Sequence, residues 1–247
     1  MKTIITFLLL QAGLRLCCSQ GFVNLSLQQA DVVPIGPDAI AVTNALPGWS
    51  VFYGGIQQSF VTFNDPALGA TFVTLLATNG QQLSGNYSVL LQGGGTASAA
   101  TISQTGHVPA SAESLLFDAA ATRPDTSVLI VSLGGEDLSF IAISNGPNYS
   151  VYGADVSAFA GQTEALTFSA PEDLSVPNIW NINDISFSSA PIPEPSPLGL
   201  LAVGGFLLTW FRATTVLRRT ARVTIHVFST ASWPRTRSLA APSSASL

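Results

Sequence analysis

The sequence predicts an all-β exported domain, a two-sheet sandwich, and three observations carry that reading. Over residues 21–189 the chain runs in short stretches of Val, Ile, Leu, Phe, Thr and Ser. Gly, Pro and Asn clusters cut these stretches at close intervals, and the apolar residues show little helical period. About 170 residues between an apolar leader and a Pro-rich knot suffice for one domain with a real core.

Twelve strands are predicted, at 23–28, 49–53, 59–62, 71–76, 87–92, 99–104, 114–119, 127–133, 138–143, 149–154, 165–169 and 180–187. The first, VNLSLQ, alternates apolar and polar residues at every position, as one buried and one wet face require. By contrast Ser114-Leu115-Leu116-Phe117-Asp118 does not alternate, which predicts a strand buried on both sides. Pro34, Pro37 and Pro47, Gly54-Gly55, Gly93-Gly94-Gly95, Gly134-Gly135 and Asn145-Gly146-Pro147 serve as breakers. The tetrapeptide Asn-Tyr-Ser-Val occurs at Asn86 and again at Asn148. The flanks LLQGG and YGADV differ, so these are two strand starts with similar local needs rather than a repeat.

The two ends read as addresses. Residues 1–20 have a signal-peptide pattern: Lys2, an apolar run from Ile4 to Leu10, then small residues before a cut near Gln20. An uncleaved N-terminal anchor is the alternative. Cys17 and Cys18 both lie in this leader, so the mature domain has no disulfide, cysteine nucleophile or thiolate metal site. Residues 190–197 form a stiff linker, with Pro193, Glu194, Pro195, Ser196 and Pro197 as a non-helical knot. From Leu198 to Phe211 the chain is uncharged and apolar, about 21 Å of helix, and running on to Leu217 gives a membrane helix of ordinary length over 198–217. That longer span takes in Arg212, whose charged end must reach back toward the headgroups. Arg218, Arg219 and Arg222 supply the basic flank of a cytoplasmic end, followed by a basic tail over 218–247 with no packed unit.

The order of Pro-Glu-Pro-Ser knot, short Gly-containing apolar helix and arginines resembles the PEP-CTERM sorting signal of Gram-negative envelope proteins. The resemblance implies an exosortase-type membrane protease as partner, cleavage near the knot, and delivery to the cell surface or an exopolysaccharide matrix. In that family the chain stops just past the arginines, whereas here 25 residues follow Arg222. An ordinary uncleaved anchor is the alternative.

Charge is divided by segment: +2 in the leader, −13 over residues 21–211 and +6 over residues 212–247. Arg123 is the one permanent cation of the exported part. Nucleic-acid affinity depends on Lys and Arg displacing phosphate counterions, so this domain is a poor partner for nucleic acid. The basic tail suits an anionic membrane surface.

The segments GFVNLSLQQA, LPGW, GNYSVLLQGG, ATISQTGHVPASAESLLFDAA, YGADVSAFAGQTEALTFSA and WNINDISFSS together resemble a galactose-binding-like jelly roll, as in non-catalytic carbohydrate-binding modules. That resemblance implies a structural calcium held by acids in the first and last strands. Gln28 stands where an acid is expected and Asn183-Asp184 replaces an acid pair, which leaves Asp184 as the calcium candidate.

Sugar binding needs an aromatic face and neighbouring amides or carboxylates. Trp49, Tyr53, Tyr87, Tyr149, Tyr152 and Trp180 are the available rings. Trp180 leads, because Asn178, Asn181 and Asn183 lie beside it in sequence, and Trp49 follows. Catalysis has little to work with. His107 sits in a Gly-His-Val-Pro stretch that reads as a surface turn, no Gly-x-Ser-x-Gly frames a nucleophile, and the acid pairs Glu136-Asp137 and Glu172-Asp173 read as solvated. The sequence thus favours a non-catalytic, matrix-destined protein that binds extracellular polysaccharide. A matrix protein without a small ligand is the alternative, and a secreted hydrolase is the weakest reading.

Overall fold

A computed structural model describes residues 21–65, 70–77, 81–94, 98–173 and 176–192. The leader 1–20, the motif Pro193, Glu194, Pro195 and Ser196, the 198–217 helix, Arg212, Arg218, Arg219 and the 218–247 tail lie outside the described residues. Among the described residues no helix is long and apolar enough to cross a membrane.

In chain order the strands are β1 (Pro34–Gly36), β2 (Ala39–Ala41), β3 (Ser50–Tyr53), β4 (Ile56–Gln58), β5 (Phe60–Phe63), β6 (Phe72–Leu76), β7 (Ser88–Gly93), β8 (Ala100–His107), β9 (Ser114–Ala121), β10 (Ile130–Leu133), β11 (Glu136–Asp137), β12 (Phe140–Asn145), β13 (Ser150–Asp155), β14 (Thr163–Ala170) and β15 (Asn178–Ser188). A four-residue helix, α1 (Val42–Ala45), and a 3₁₀ turn at Ser157–Phe159 interrupt them. The strands form a nine-stranded sheet, β1-β2-β5-β6-β7-β15-β9-β13-β12, and a six-stranded sheet, β11-β10-β14-β8-β3-β4. All pairings are antiparallel except β5 with β6, where Thr62 lies opposite Thr74.

The two sheets share one core, so the predicted all-β sandwich is what the chain forms. Phe117 on β9 meets Phe168 on β14 edge to face at 5.2 Å, and Trp49 reaches the same Phe168 at 6.4 Å. Leu27, Val51, Leu91, Ile102, Leu115, Leu166 and Ile182 are fully buried around them. Burying such side chains contributes roughly 1.5–3 kcal/mol each, which lets a cysteine-free domain hold together without crosslinks. β8 alternates buried and part-exposed positions, as a sheet with one wet face does. β9 is buried at Ser114, Leu115, Phe117, Asp118 and Ala119, in line with its unalternating sequence.

The turns follow local chemistry. Gly54-Gly55 and Gly134-Gly135 both take positive φ at both positions and close the β3–β4 and β10–β11 hairpins. Two glycines suit such two-residue turns because their twist matches the strands they join. Gly93 is required for another reason: a Cβ there would lie 2.2 Å from the Pro171 carbonyl oxygen.

One predicted strand is absent. Residues 23–28 turn rather than extend, with Asn24 at φ 51° and Leu27 at φ 59°. The Leu27 N–H bonds the Asn24 carbonyl at 3.1 Å, and the Gln29 N–H bonds the Asn24 side chain at 2.9 Å. Gln104 gives its amide to the Val23 carbonyl at 2.9 Å and accepts the Val23 N–H, so one side chain does the pairing of a neighbouring strand. Polar partners at fixed positions thereby satisfy this backbone without a ladder. The short strands β1, β2, β4 and β11 had no strong sequence signal, since each has only two or three residues beside a turn.

Candidate functional site

The β12–β13 hairpin, the C-terminal end of β9 and the start of β15 meet around a cleft of about 330 Å³. Its walls include Ala119, Ala121, Asn145, Gly146, Asn148, Tyr149, Tyr152 and Trp180. The hairpin is pinned where Gly146 N–H bonds the Tyr149 carbonyl at 2.8 Å. The Tyr149 ring lies over Gly146 so closely that a Cβ there would stand 2.4 Å from its Cζ. Ser150 Oγ holds Asn145 Oδ1 at 2.9 Å. Tyr152 is wedged between Phe117, stacked at 5.5 Å, and Trp180, edge on at 6.2 Å. Trp180 is 6 % exposed, and its indole N–H is buried without a hydrogen-bond partner. A buried orphan donor costs about 1–3 kcal/mol, and this one is sealed from solvent, so what Trp180 offers the cleft is its ring.

A second cleft, of about 270 Å³, lies against the other face of the same strands, lined by Leu76, Leu83, Leu90, Ala120, Asn148 and Asn181 among others. Asn181 donates to the Gln81 carbonyl at 2.9 Å, while its Oδ1 is buried without a partner.

Alternation along β15 sorts the residues that sequence had grouped with Trp180. Asn181 lines the second cleft rather than the one at the Trp180 ring. Asn178 bonds the N–H and carbonyl of Val128 at 3.1 and 2.7 Å and the Pro171 carbonyl at 2.9 Å. Asn183 bonds Ser84 and Gln28. These two are structural clamps, and the amides that do flank Trp180 are Asn145 and Asn148, which sequence reasoning missed. Their signal was the Asn-Gly-Pro-Asn-Tyr turn, where two amides and a ring crowd onto one short hairpin. Trp49 is a core residue, 4 % exposed, packed on Phe168 and donating its N–H to the Asn24 carbonyl at 3.2 Å. It nevertheless lines a cleft of about 480 Å³ with Val42, Thr43, Ser50, Gln57, Gln58 and Ser59. Tyr53 accepts the Val73 N–H at 3.1 Å, and burial pushes its phenol above the usual range.

The acids and amides named for calcium form one network. Gln28 Nε2 donates to the Tyr87 carbonyl at 2.8 Å, to Asn183 Oδ1 at 2.9 Å and to the Ser26 carbonyl at 3.1 Å. Its Oε1 accepts the N–H groups of Asn86 and Tyr87. Three oxygens thus converge on an amide nitrogen, whose two hydrogens are shared among them. Gly85, at φ 64°, is needed there because a Cβ would come within 2.5 Å of Gln28 Oε1. Asp118 on β9 pairs in register with Asn183 and is bonded by Ser84. Burial and the nearby Asp184 carboxylate push Asp118 up to about 6. Asp184 itself is exposed and sits at φ 46° in the irregular stretch of β15. Among the described residues no group of three or more His, Cys, Asp or Glu is arranged to hold a metal ion.

His107 is the last residue of β8, opposite Thr163, rather than part of a surface turn, and its Nδ1 is buried without a partner. Glu136 and Asp137 are exposed on β11.

Fold and cleft together define a two-sheet β-sandwich with a rim cleft of aromatic rings and amides. No protein-family model matches the chain, and no curated protein matches it. Among solved structures it is similar to the enzymatically active domain of tailspike protein 4 from bacteriophage CBA120, at 14 % identity and a TM-score of 0.39. That match covers 68 % of this chain and 21 % of the tailspike chain, so this chain spans about a fifth of that one's length.

Proposed function

We propose that this chain is an exported, non-catalytic protein of the cell surface or exopolysaccharide matrix, and that its sandwich binds carbohydrate in the Trp180 cleft. In this reading residues 21–189 are a galactose-binding-like jelly roll. The leader exports it, the 198–217 helix tethers it temporarily, and an exosortase-type membrane protease releases it near Pro193–Ser196. The observation that carries the binding claim is a rim cleft lined by the rings of Tyr149, Tyr152 and Trp180 and by the amides of Asn145 and Asn148. Sugar hydroxyls accept as well as donate, and C–H faces pack on rings, so this combination suits a saccharide better than an apolar ligand.

A glycan array probed with wild type and Trp180→Phe tests the reading. Saturable binding to a subset of glycans, weakened in the variant at unchanged melting temperature, supports it. Equal binding by both proteins overturns the assignment to this cleft. Binding by neither leaves a matrix protein without a small ligand.

A further inference from the structure

The ladder between β9 and β13 stops one rung short of the end of β9. Its last pair is Ala119 with Ser150, yet β9 runs on to Ala121, which lies opposite Trp180 of β15 on its other side. Continued in register, the next rung facing β13 would set Ala121 against Asn148, but the chain turns through residues 146–149, where the Gly146 N–H bonds the Tyr149 carbonyl. The direction of the open group follows from one bond. The Thr122 N–H points at β15, where it meets the Ile179 carbonyl at 3.1 Å. The peptide joining Ala121 to Thr122 is trans, so the Ala121 carbonyl, on the opposite side of the same plane, points away from β15 and toward the β12–β13 hairpin. Ala121 is part-exposed and lines the Trp180 cleft together with Asn148. Among the described residues none donates to its carbonyl.

Resting on the carbohydrate reading above, we infer that the cleft selects sugars that carry an acetamido group, whose N–H donates to the Ala121 carbonyl. Neighbouring strands lie about 4.8 Å apart, so the place of a missing rung has the width of one peptide unit. An acetamido group is such a unit, planar and trans, with its N–H on one side and its C=O on the other. With the N–H on Ala121, the acetamido carbonyl faces the hairpin and its side-chain amides. Asn148 is exposed there and makes no side-chain hydrogen bond among the described residues. Asn145 keeps its Nδ2 as a donor, because its Oδ1 is the atom that accepts from Ser150 Oγ. The acetyl methyl is left for the rings of Tyr149 and Trp180, an apolar contact that a bare hydroxyl does not make. A polypeptide is the poorer occupant, since an added strand needs successive rungs. Beyond Ala121 the chain leaves β9 for a turn in which the Thr126 and Ser127 N–H groups both bond the Arg123 carbonyl. One open carbonyl fits one amide.

The test is calorimetric titration of the full chain, kept in a detergent without a sugar headgroup. Methyl glycosides of N-acetylglucosamine and N-acetylgalactosamine are compared with those of glucose and galactose, and with the 2-O-acetyl esters, which keep the methyl and the carbonyl but lack the N–H. The acetamido sugars are expected to bind about tenfold tighter than both other sets. Asn148→Ala, at an exposed position, is expected to lower affinity for acetamido sugars and esters alike about three- to tenfold and to leave the plain sugars unchanged. In ¹³C-labelled protein the Ala121 carbonyl signal should move with the acetamido sugars and stay in place with the esters. Acetamido sugars that bind no tighter than either comparison set, or an unmoved Ala121 carbonyl signal at saturation, overturn the acetamido inference and leave the carbohydrate reading standing. Tighter binding of an acetylated trialanine peptide than of any sugar overturns it in favour of a peptide strand. Absence of any sugar binding by wild type overturns this inference and the carbohydrate reading together.

Discussion

The rings of Tyr152 and Trp180 meet edge to face at 6.2 Å between centroids and 70° between planes, and that contact ties the rim cleft to the core. Tyr152 stacks in turn on Phe117, which holds Phe168 of the opposite sheet. The cleft is therefore built on packed rings rather than on a free loop, which favours preorganisation.

Gly146→Ala separates cleft geometry from stability. Its backbone is not in the left-handed region, and what a Cβ meets is the Tyr149 ring, which must swing aside. Glycan affinity should fall about tenfold with the melting temperature nearly unchanged, read by calorimetry on the same samples. Unchanged affinity would remove Tyr149 from the site.

Asp118 gives a signed pH dependence. Its folded value is raised, by burial first and by Asp184 second, so the fold favours the protonated acid. The stability it contributes is fully present below its unfolded value near 3.8 and is lost as pH rises through about 6. Asp118→Asn should flatten that decline between pH 4 and 7. Asp184→Asn, which keeps a side chain suited to φ 46°, should raise the pH 7 melting temperature by about 2–4 °C. Asp155 has the opposite sign, because the Ser157 N–H and hydroxyl lower it, so its contribution is lost as pH falls. Comparing each variant with wild type cancels that background.

Gln28→Ala removes an amide that meets three acceptors and two donors, and a loss of about 2–3 kcal/mol is expected in denaturant melts. Calcium at millimolar concentration should leave the wild-type melting temperature unchanged, since those oxygens already face amide hydrogens. A rise abolished by Asp184→Asn would instead place calcium at the last strand.

Phe117→Ala takes out the ring at the junction of both sheets and should cost about 3–5 kcal/mol. A loss below about 1 kcal/mol in the same melts would mean that the sheets are joined elsewhere.

Sorting makes its own prediction at the termini. Mass spectrometry of protein released from the cell surface should find a start near Gly21 and an end near Pro193–Ser196. A released chain that still carries residues 198–247 would contradict exosortase processing.

Much of the sandwich was legible because burial leaves a plain pattern. The unalternating Ser114-Leu115-Leu116-Phe117 stretch marks a central strand, and Gly54-Gly55 and Gly134-Gly135 mark hairpins. Residues 23–28 misled because alternation reports which side chains want burial, not whether the backbone has a partner. There Gln104 and Asn24 take the partner's place from distant or local side chains. Trp180 was legible as the ring of the site, but its amide neighbours were not. Alternation sends Asn181 to the other face, and the fold brings Asn145 and Asn148 from a hairpin more than thirty residues upstream. Trp49 looked equivalent from sequence, and the structure separates the two by their N–H groups: that of Trp49 is bonded to the Asn24 carbonyl, that of Trp180 is not bonded.

That contrast supplies the most direct measurement. In ¹H–¹⁵N spectra, indole N–H signals assigned by Trp180→Phe and Trp49→Phe are followed while an oligosaccharide is added. The Trp180 signal should shift saturably as ligand fills the cleft beside its ring, and the Trp49 signal, already bonded to Asn24, should stay in place. A saturating ligand that moves neither signal, or moves Trp49 alone, would contradict the assignment of the cleft.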